Sequence, residues 1–164
     1  MLTQTFGRLR AESEEHRAVH FERVYDYRPE ELWAAITEPD QIRGWLGEAE
    51  LDLREDGAGT VKFSETEIAQ LRVRALEPGR LVEYDWTFPN EPLSVLRLEL
   101  EPRREGTLLV LDHRRLSPDD IVDYSAGWHS HLDALGLILA DRSHDWQARF
   151  DELRPQYTDL AAAI

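Results

Sequence analysis

SPDDIVDYSAGWHSHLDALGLIL, residues 117–139, reads as one long helix, and that reading decides the fold. Ser117, Pro118, Asp119 and Asp120 form a helix start: the hydroxyl can accept from an orphan backbone N–H, Pro fits the first helical position, and the acids favour the positive end. Trp128, Leu132, Leu135 and Leu139 follow at spacings of 4, 3 and 4, with Tyr124 a further turn back. They make an apolar stripe along one helix face, and such a stripe needs a sheet to cover it. After a break near Arg142 and Ser143, DWQARFDELRPQY at 145–157 offers Trp146, Phe150 and Leu153 as a shorter amphipathic segment. It is expected to dock on the outside, with Pro155 weakening its end.

The covering sheet is written upstream. AVHFERVYDY at 18–27 places Val19, Phe21, Arg23, Tyr25 and Tyr27 on one face and His20, Glu22 and Asp26 on the other, the alternation of a half-buried strand. Pro29 then opens EELWAAIT, with Leu32, Trp33 and Ile36 at helical spacing, and Pro39 closes it before a second short helix at Asp40 to Trp45. About six strand-like runs follow Gly47. LDL at 51–53 and the Asp56-Gly57 turn lead to GTVKF at 59–63. IAQLRVRAL at 68–76 alternates Ala69, Leu71, Val73 and Ala75 against Gln70, Arg72 and Arg74, which face outward towards acidic neighbours. Pro78-Gly79 turns the chain into LVEYDWTF, where Val82, Tyr84, Trp86 and Phe88 share a face. SVLRLEL and TLLVLDHR come after PNEP and Glu105-Gly106. The expected fold is therefore α+β: a curved antiparallel sheet of about seven strands around a long C-terminal helix, with two short helices after the first main strand. No repeat, low-complexity tract or linker divides residues 1–164, so one domain is expected. Residues 1–17 form an N-terminal extension in which Thr5 to Leu9 can add an edge strand.

Composition narrows the function. At 164 residues the chain can bury about 70% of the surface its unfolded form exposes, and a hydrophobic share of 41% argues against wholesale disorder. There is no cysteine, which removes disulfides, thiol catalysis and cysteine-ligated zinc. Nineteen basic against 33 acidic residues give a formal charge of −14. That charge repels a phosphate backbone, so nucleic acid is not an expected partner, while a basic protein surface is one the acidity admits. No apolar run approaches the roughly 20 residues of a membrane span. MLTQTFGRLRAESEEHR carries charge where a signal peptide needs an apolar core, so a cytoplasmic location is expected.

Two segments carry a family resemblance. FERVYDYRPEELWAAITEPDQIRGWL at 21–46 looks like the opening strand, Pro-initiated helix and Trp-ended second helix of the helix-grip or START-like superfamily, also called SRPBCC. Within it, the homologues of the heat-shock-protein ATPase activator are the branch it resembles. DHRRL followed by SAGWHSHLDAL at 125–135 is similar to that family's last strand and its Gly-Trp-x-x-x-Leu-x-x-Leu helix, and the likeness covers about residues 18–157. The resemblance implies a cavity between sheet and long helix, which across the superfamily serves lipid binding, hormone binding or polyketide cyclisation. The eukaryotic co-chaperone relative has a further N-terminal domain for which 164 residues leave no room, so direct chaperone activation is not expected.

An empty apolar cavity of about 300 Å³ would cost on the order of 7 kcal/mol, so a retained pocket is evidence of use. Its lining should come from the inward faces of the central strands and the stripe of the long helix. Trp128, His131, Leu132 and Leu135 are the helix candidates. Val73, Tyr84, Trp86, Leu98, Leu111 and His113 are the strand candidates, if Leu109, Leu111 and His113 point inward together, and Trp45 belongs near the mouth. Tyr84, His113 and His131 are the polar groups that could orient a ligand. A cyclase or hydrolase reading would use His113 or His131 with Tyr84 or Asp112, yet no nucleophile elbow or phosphate-binding glycine loop accompanies them, and no cofactor is expected. His129 and His131 lie about 200° apart around a helix and cannot chelate one metal ion. The function expected first is binding of an apolar or amphipathic small molecule, with a co-chaperone-like interaction module and a cyclase-type enzyme as the alternatives.

Overall fold

The computed structural model describes residues 5–164. Eight strands form one curved, unclosed antiparallel sheet in the order β1-β2-β8-β7-β6-β5-β4-β3. The strands are β1 (Arg8–Ala11), β2 (Arg17–Tyr25), β3 (Glu48–Leu51), β4 (Ala58–Lys62), β5 (Ile68–Glu77), β6 (Leu81–Thr87), β7 (Ser94–Arg103) and β8 (Gly106–Leu116). Helices α1 (Pro29–Thr37) and α2 (Pro39–Trp45) follow β2, and α3 (Ile121–Leu139) and α4 (Trp146–Ala161) close the chain. The N-terminal strand lies at 8–11 rather than 5–9, paired with β2 from Arg8 opposite His20 to Ala11 opposite Arg17.

The stripe of α3 fills the concave face of the sheet. Trp128, Leu132 and Leu135 are buried against Phe21, Tyr84, Trp86, Leu98 and Leu111, and Leu109, Leu111 and His113 do point inward together. Two tyrosines of the first long strand and its exit tie the helix down: the Tyr25 hydroxyl donates to the Leu132 carbonyl at 2.8 Å and that of Tyr27 to the Leu139 carbonyl at 2.6 Å. Gly106 begins β8 at φ 144°, where a Cβ would stand 2.1 Å from the Tyr25 carbonyl oxygen, so only glycine allows the β7–β8 hairpin to close on β2.

Three local expectations are corrected. Helix α3 begins at Ile121, and Ser117 caps no helix: its hydroxyl donates to the Asp120 carboxylate at 2.8 Å, holding residues 117–120 as a turn. The alternation in β5 breaks after Val73, because a bulge at Arg74 sets Val73 opposite Tyr84 but Ala75 opposite Glu83. Helix α4 runs through Pro155 to Ala161 and is integral to the core. Leu153 and Tyr157 on either side of the proline are fully buried, and burial of two such side chains, each worth about 2 kcal/mol, outweighs the hydrogen bond Pro155 cannot make.

Because α4 covers the second face of α3, polar residues that periodicity would leave in water are enclosed. Asp133 accepts from Arg23 at 2.9 Å and from Arg149 at 2.8 Å, with the Arg23 and Asp133 side chains almost wholly buried. The Tyr157 hydroxyl meets His129 Nδ1 at 2.7 Å and accepts the Gly7 backbone N–H at 2.8 Å, which fastens the N-terminal segment to α4.

Candidate functional site

Between sheet and α3 the interior is filled. The enclosed space there amounts to about 20 Å³, lined by Trp45, Val61, Leu71, Tyr84, Trp86, Leu98 and Trp128 among others. That is room for one water, at a cost on the order of 0.5 kcal/mol if empty. A ligand-sized space, an open cleft of about 750 Å³, lies where α2, the β4–β5 hairpin, the end of β6, α3 and the start of α4 meet. Trp45, Trp86 and Trp128 line both spaces and stand between them.

The cleft walls are aromatic. Trp86 and Trp128 meet edge to face at 5.8 Å. Phe63 packs against Trp86, Phe88 and His131. Trp146 lies over His131 at 5.0 Å between ring centres and stacks on Phe150 at 4.9 Å. Local folding explains these positions. Alternation past the end of β4 turns Phe63 to the concave side, the four-residue spacing of α4 aligns Trp146 with Phe150, and Tyr124 stands one turn before Trp128. The Trp45 indole donates to the Ala35 carbonyl at 2.9 Å, locking α2 against α1 at the cleft's edge.

The polar groups divide into buried structural ones and ones at the cleft. His113 belongs to the first kind. Its Nδ1 accepts the Trp128 indole N–H at 2.9 Å, so the single ring proton sits on Nε2 and is donated to Ser94 Oγ at 2.7 Å. Burial pushes this imidazole down to about 3, and it stays neutral. Asp112, its neighbour along β8, points to the opposite face and pairs with Arg10 and His20, so no His113–Asp112 dyad forms. His131 is at the cleft. Its Nδ1 donates to the Trp45 carbonyl at 2.9 Å, which leaves Nε2 with an unshared pair, and burial pushes the ring down to about 4. His144 and Trp146 each put an unpartnered buried nitrogen, Nδ1 and Nε1, into the wall. Opposite them, the Tyr124 hydroxyl accepts the Trp86 indole N–H at 2.9 Å and donates to Glu91, whose carboxyl burial raises above the ordinary range.

Among the sequence candidates, Trp45, Trp86, Trp128 and His131 come together at the cleft. Tyr84 and Leu98 line only the small void, where burial raises the Tyr84 phenol. His113 stands behind Trp86 and Trp128, and Val73, Leu111, Leu132 and Leu135 are packed in the core and line neither space. Phe63, Phe88, Glu91, Tyr124, His144, Trp146 and Phe150 also line the cleft and are not among the pocket candidates read from sequence. Tyr124 and the Trp146–Phe150 pair carried a helical-spacing signal, whereas Glu91 lies in a loop and carried none. His129 and His131 diverge as helix geometry requires, one towards Tyr157 and the other towards Trp45.

Residues 26–140 match the family described as Activator of Hsp90 ATPase homolog 1-like protein. The crystal structure of CalU16 from Micromonospora echinospora superposes with a TM-score of 0.81 at 29% identity, covering 97% of this chain and 99% of that one. MLL2253 from Mesorhizobium loti gives 0.71 at 25% identity over 78% of this chain and 100% of that chain. DynU16, described as a protein in the dynemicin biosynthetic locus, gives 0.68 at 21% identity over 75% of this chain and 47% of that one, a likeness of fold. No curated protein matches the sequence. With the strand, paired short helices, antiparallel sheet and Gly127-Trp128 helix all in place, the chain belongs to the Activator of Hsp90 ATPase homolog 1-like family of helix-grip proteins.

Proposed function

We propose that this protein binds a flat, apolar or amphipathic small molecule in the tryptophan-walled cleft. The observation that carries the reading is the contrast between the two spaces: the interior holds a single water's volume, while the cleft offers about 750 Å³ faced by aromatic rings from five elements. Binding sites of drug-sized ligands have this volume and this mixture of aromatic wall and few polar groups. His131 Nε2 supplies an acceptor and Glu91 a carboxylate, which suit a ligand with a donor at one or both ends. The helix-grip fold is in keeping with such a role.

The test is a thermal-shift and calorimetric screen of planar aromatic and amphipathic compounds, repeated on Gly127→Leu. A Cβ at Gly127 would meet the Trp146 ring at 3.8 Å, so a leucine there projects into the cleft floor. A ligand at 100 times its dissociation constant adds about 2.7 kcal/mol of stability to the wild type and little to the blocked variant. Stabilisation that survives Gly127→Leu undiminished, or its absence across the whole panel, would sink the reading.

A further inference from the structure

We propose that the ligand of this cleft carries a positive charge, and that Glu91 is the residue that selects it. The inference rests on the cleft being the binding site and adds the ligand's chemical class. Glu91 follows Asn90, whose φ of 65° turns the β6–β7 loop, and precedes Pro92, so the backbone that presents it is constrained on both sides. Its Oε1 accepts the Tyr124 O–H, and the same phenol oxygen accepts the Trp86 N–H. The carboxylate is thereby held against the aromatic wall rather than left to swing in solvent.

What the carboxylate lacks is a cation. Among the described residues no ion pair includes Glu91. The two basic residues on the cleft's rim are directed elsewhere, Lys62 to Glu65 at 3.1 Å and Arg43 to Asp40 at 3.8 Å. Asp123 lines the same end of the cleft and faces Arg154 at 2.8 Å on its outer side. Burial raises the Glu91 carboxyl, and the charges of Asp120 and Asp123 raise it further, as expected for an acid in a field short of positive charge. An alkylammonium group beside Glu91 would relieve that field. Its apolar body would lie on Phe63, Phe88 and Trp146, the more exposed rings of the cleft, whose faces attract cations as well as hydrocarbon. An anionic ligand would meet Glu67, Glu91 and Asp123 in the cleft of a chain already at −14.

Three probes on one naphthyl frame, the first two near-isosteric, separate charge from shape: 1-naphthylmethylamine, 1-naphthylmethanol and 1-naphthoate, titrated by calorimetry into the wild type, Glu91→Gln and Glu101→Gln. Glu101 lies at the far end of β7, beside Arg103, and removes the same overall charge without touching the cleft. The amine is expected to bind about tenfold more tightly than the alcohol, with the carboxylate weakest. Glu91→Gln should abolish that preference, with a urea-unfolding midpoint close to the wild type's reporting that the variant is folded, and Glu101→Gln should retain it. In the wild type the amine-to-alcohol ratio should fall as salt rises. If the alcohol binds and the amine binds no better, or if the preference persists in Glu91→Gln, the charge inference is overturned and the cleft stands. If none of the three binds the wild type, the cleft reading fails and takes this inference with it.

Discussion

Acid should destabilise this protein well before its carboxylates titrate, because two imidazoles are buried neutral. His113 is pushed from 6.5 down to about 3 and His131 from 6.5 down to about 4, in both cases chiefly by burial. A folded value below the unfolded one means that the stabilisation is complete above pH 6.5. It is lost as the pH falls towards the folded values, since only the unfolded chain takes up the protons. At pH 5 the unfolded histidines are 1.5 pH units below their ordinary value, and at 1.36 kcal/mol per unit each withdraws about 2 kcal/mol, about 4 kcal/mol for the pair. The depressed carboxylates act in a lower window. Asp112 and Glu83 contribute stability above the ordinary carboxylate range and lose it only as pH falls through their lowered folded values. Glu91, raised, acts in the opposite sense and returns a little stability as the pH falls through its raised folded value. The assay is urea unfolding followed by tryptophan fluorescence at half-unit steps from pH 8 to 5, on the wild type, His113→Gln, His131→Gln and the double variant. Each single variant should lose about 2 kcal/mol of the change between pH 8 and pH 5 and the double variant about 4 kcal/mol, whatever the substitutions cost at pH 8. A double variant that keeps the wild-type slope, or a wild type that is flat between pH 7 and 5, would refute the reasoning.

Asp133→Ala should cost about 3 to 5 kcal/mol in urea unfolding, because it leaves the buried Arg23 and the nearly buried Arg149 without their shared carboxylate. Tyr157→Phe removes the acceptor of the Gly7 N–H and the partner of His129, so a loss of about 1 to 3 kcal/mol should come with faster amide exchange in the Arg8–Ala11 strand. Gly127→Ala should instead stabilise by about 0.5 to 1 kcal/mol, since the new methyl meets the Trp146 ring at an ordinary 3.8 Å and the helix interior loses a glycine; a fall in melting temperature would count against the placement of Trp146.

What the sequence determined by itself was the set of elements and the face of each that is apolar. Alternation in FERVYDY, the prolines at 29 and 39, and the Trp128–Leu132–Leu135 stripe are local patterns whose energetic meaning, one face dry and one wet, does not depend on the rest of the chain. Even Arg23, read as inward, is buried as its register requires. The tertiary structure alone decided the rest. His129 and Asp133 lie on the face of α3 that periodicity assigns to water, and they are enclosed because α4 packs there, an event that Pro155 argued against locally. The site was divided in the same way. Trp45, Trp86, Trp128 and His131, read from sequence as facing inward or near the mouth, line the cleft. Which inward residues meet one another and which border open space depends on how far apart the sheet and α3 stand, and here Trp128, bonded to His113, closes the interior. Glu91 and Trp146 reach the cleft from a loop and from a helix start distant in sequence. A contact between distant segments is set by the packing of everything between them, and no local pattern encodes it.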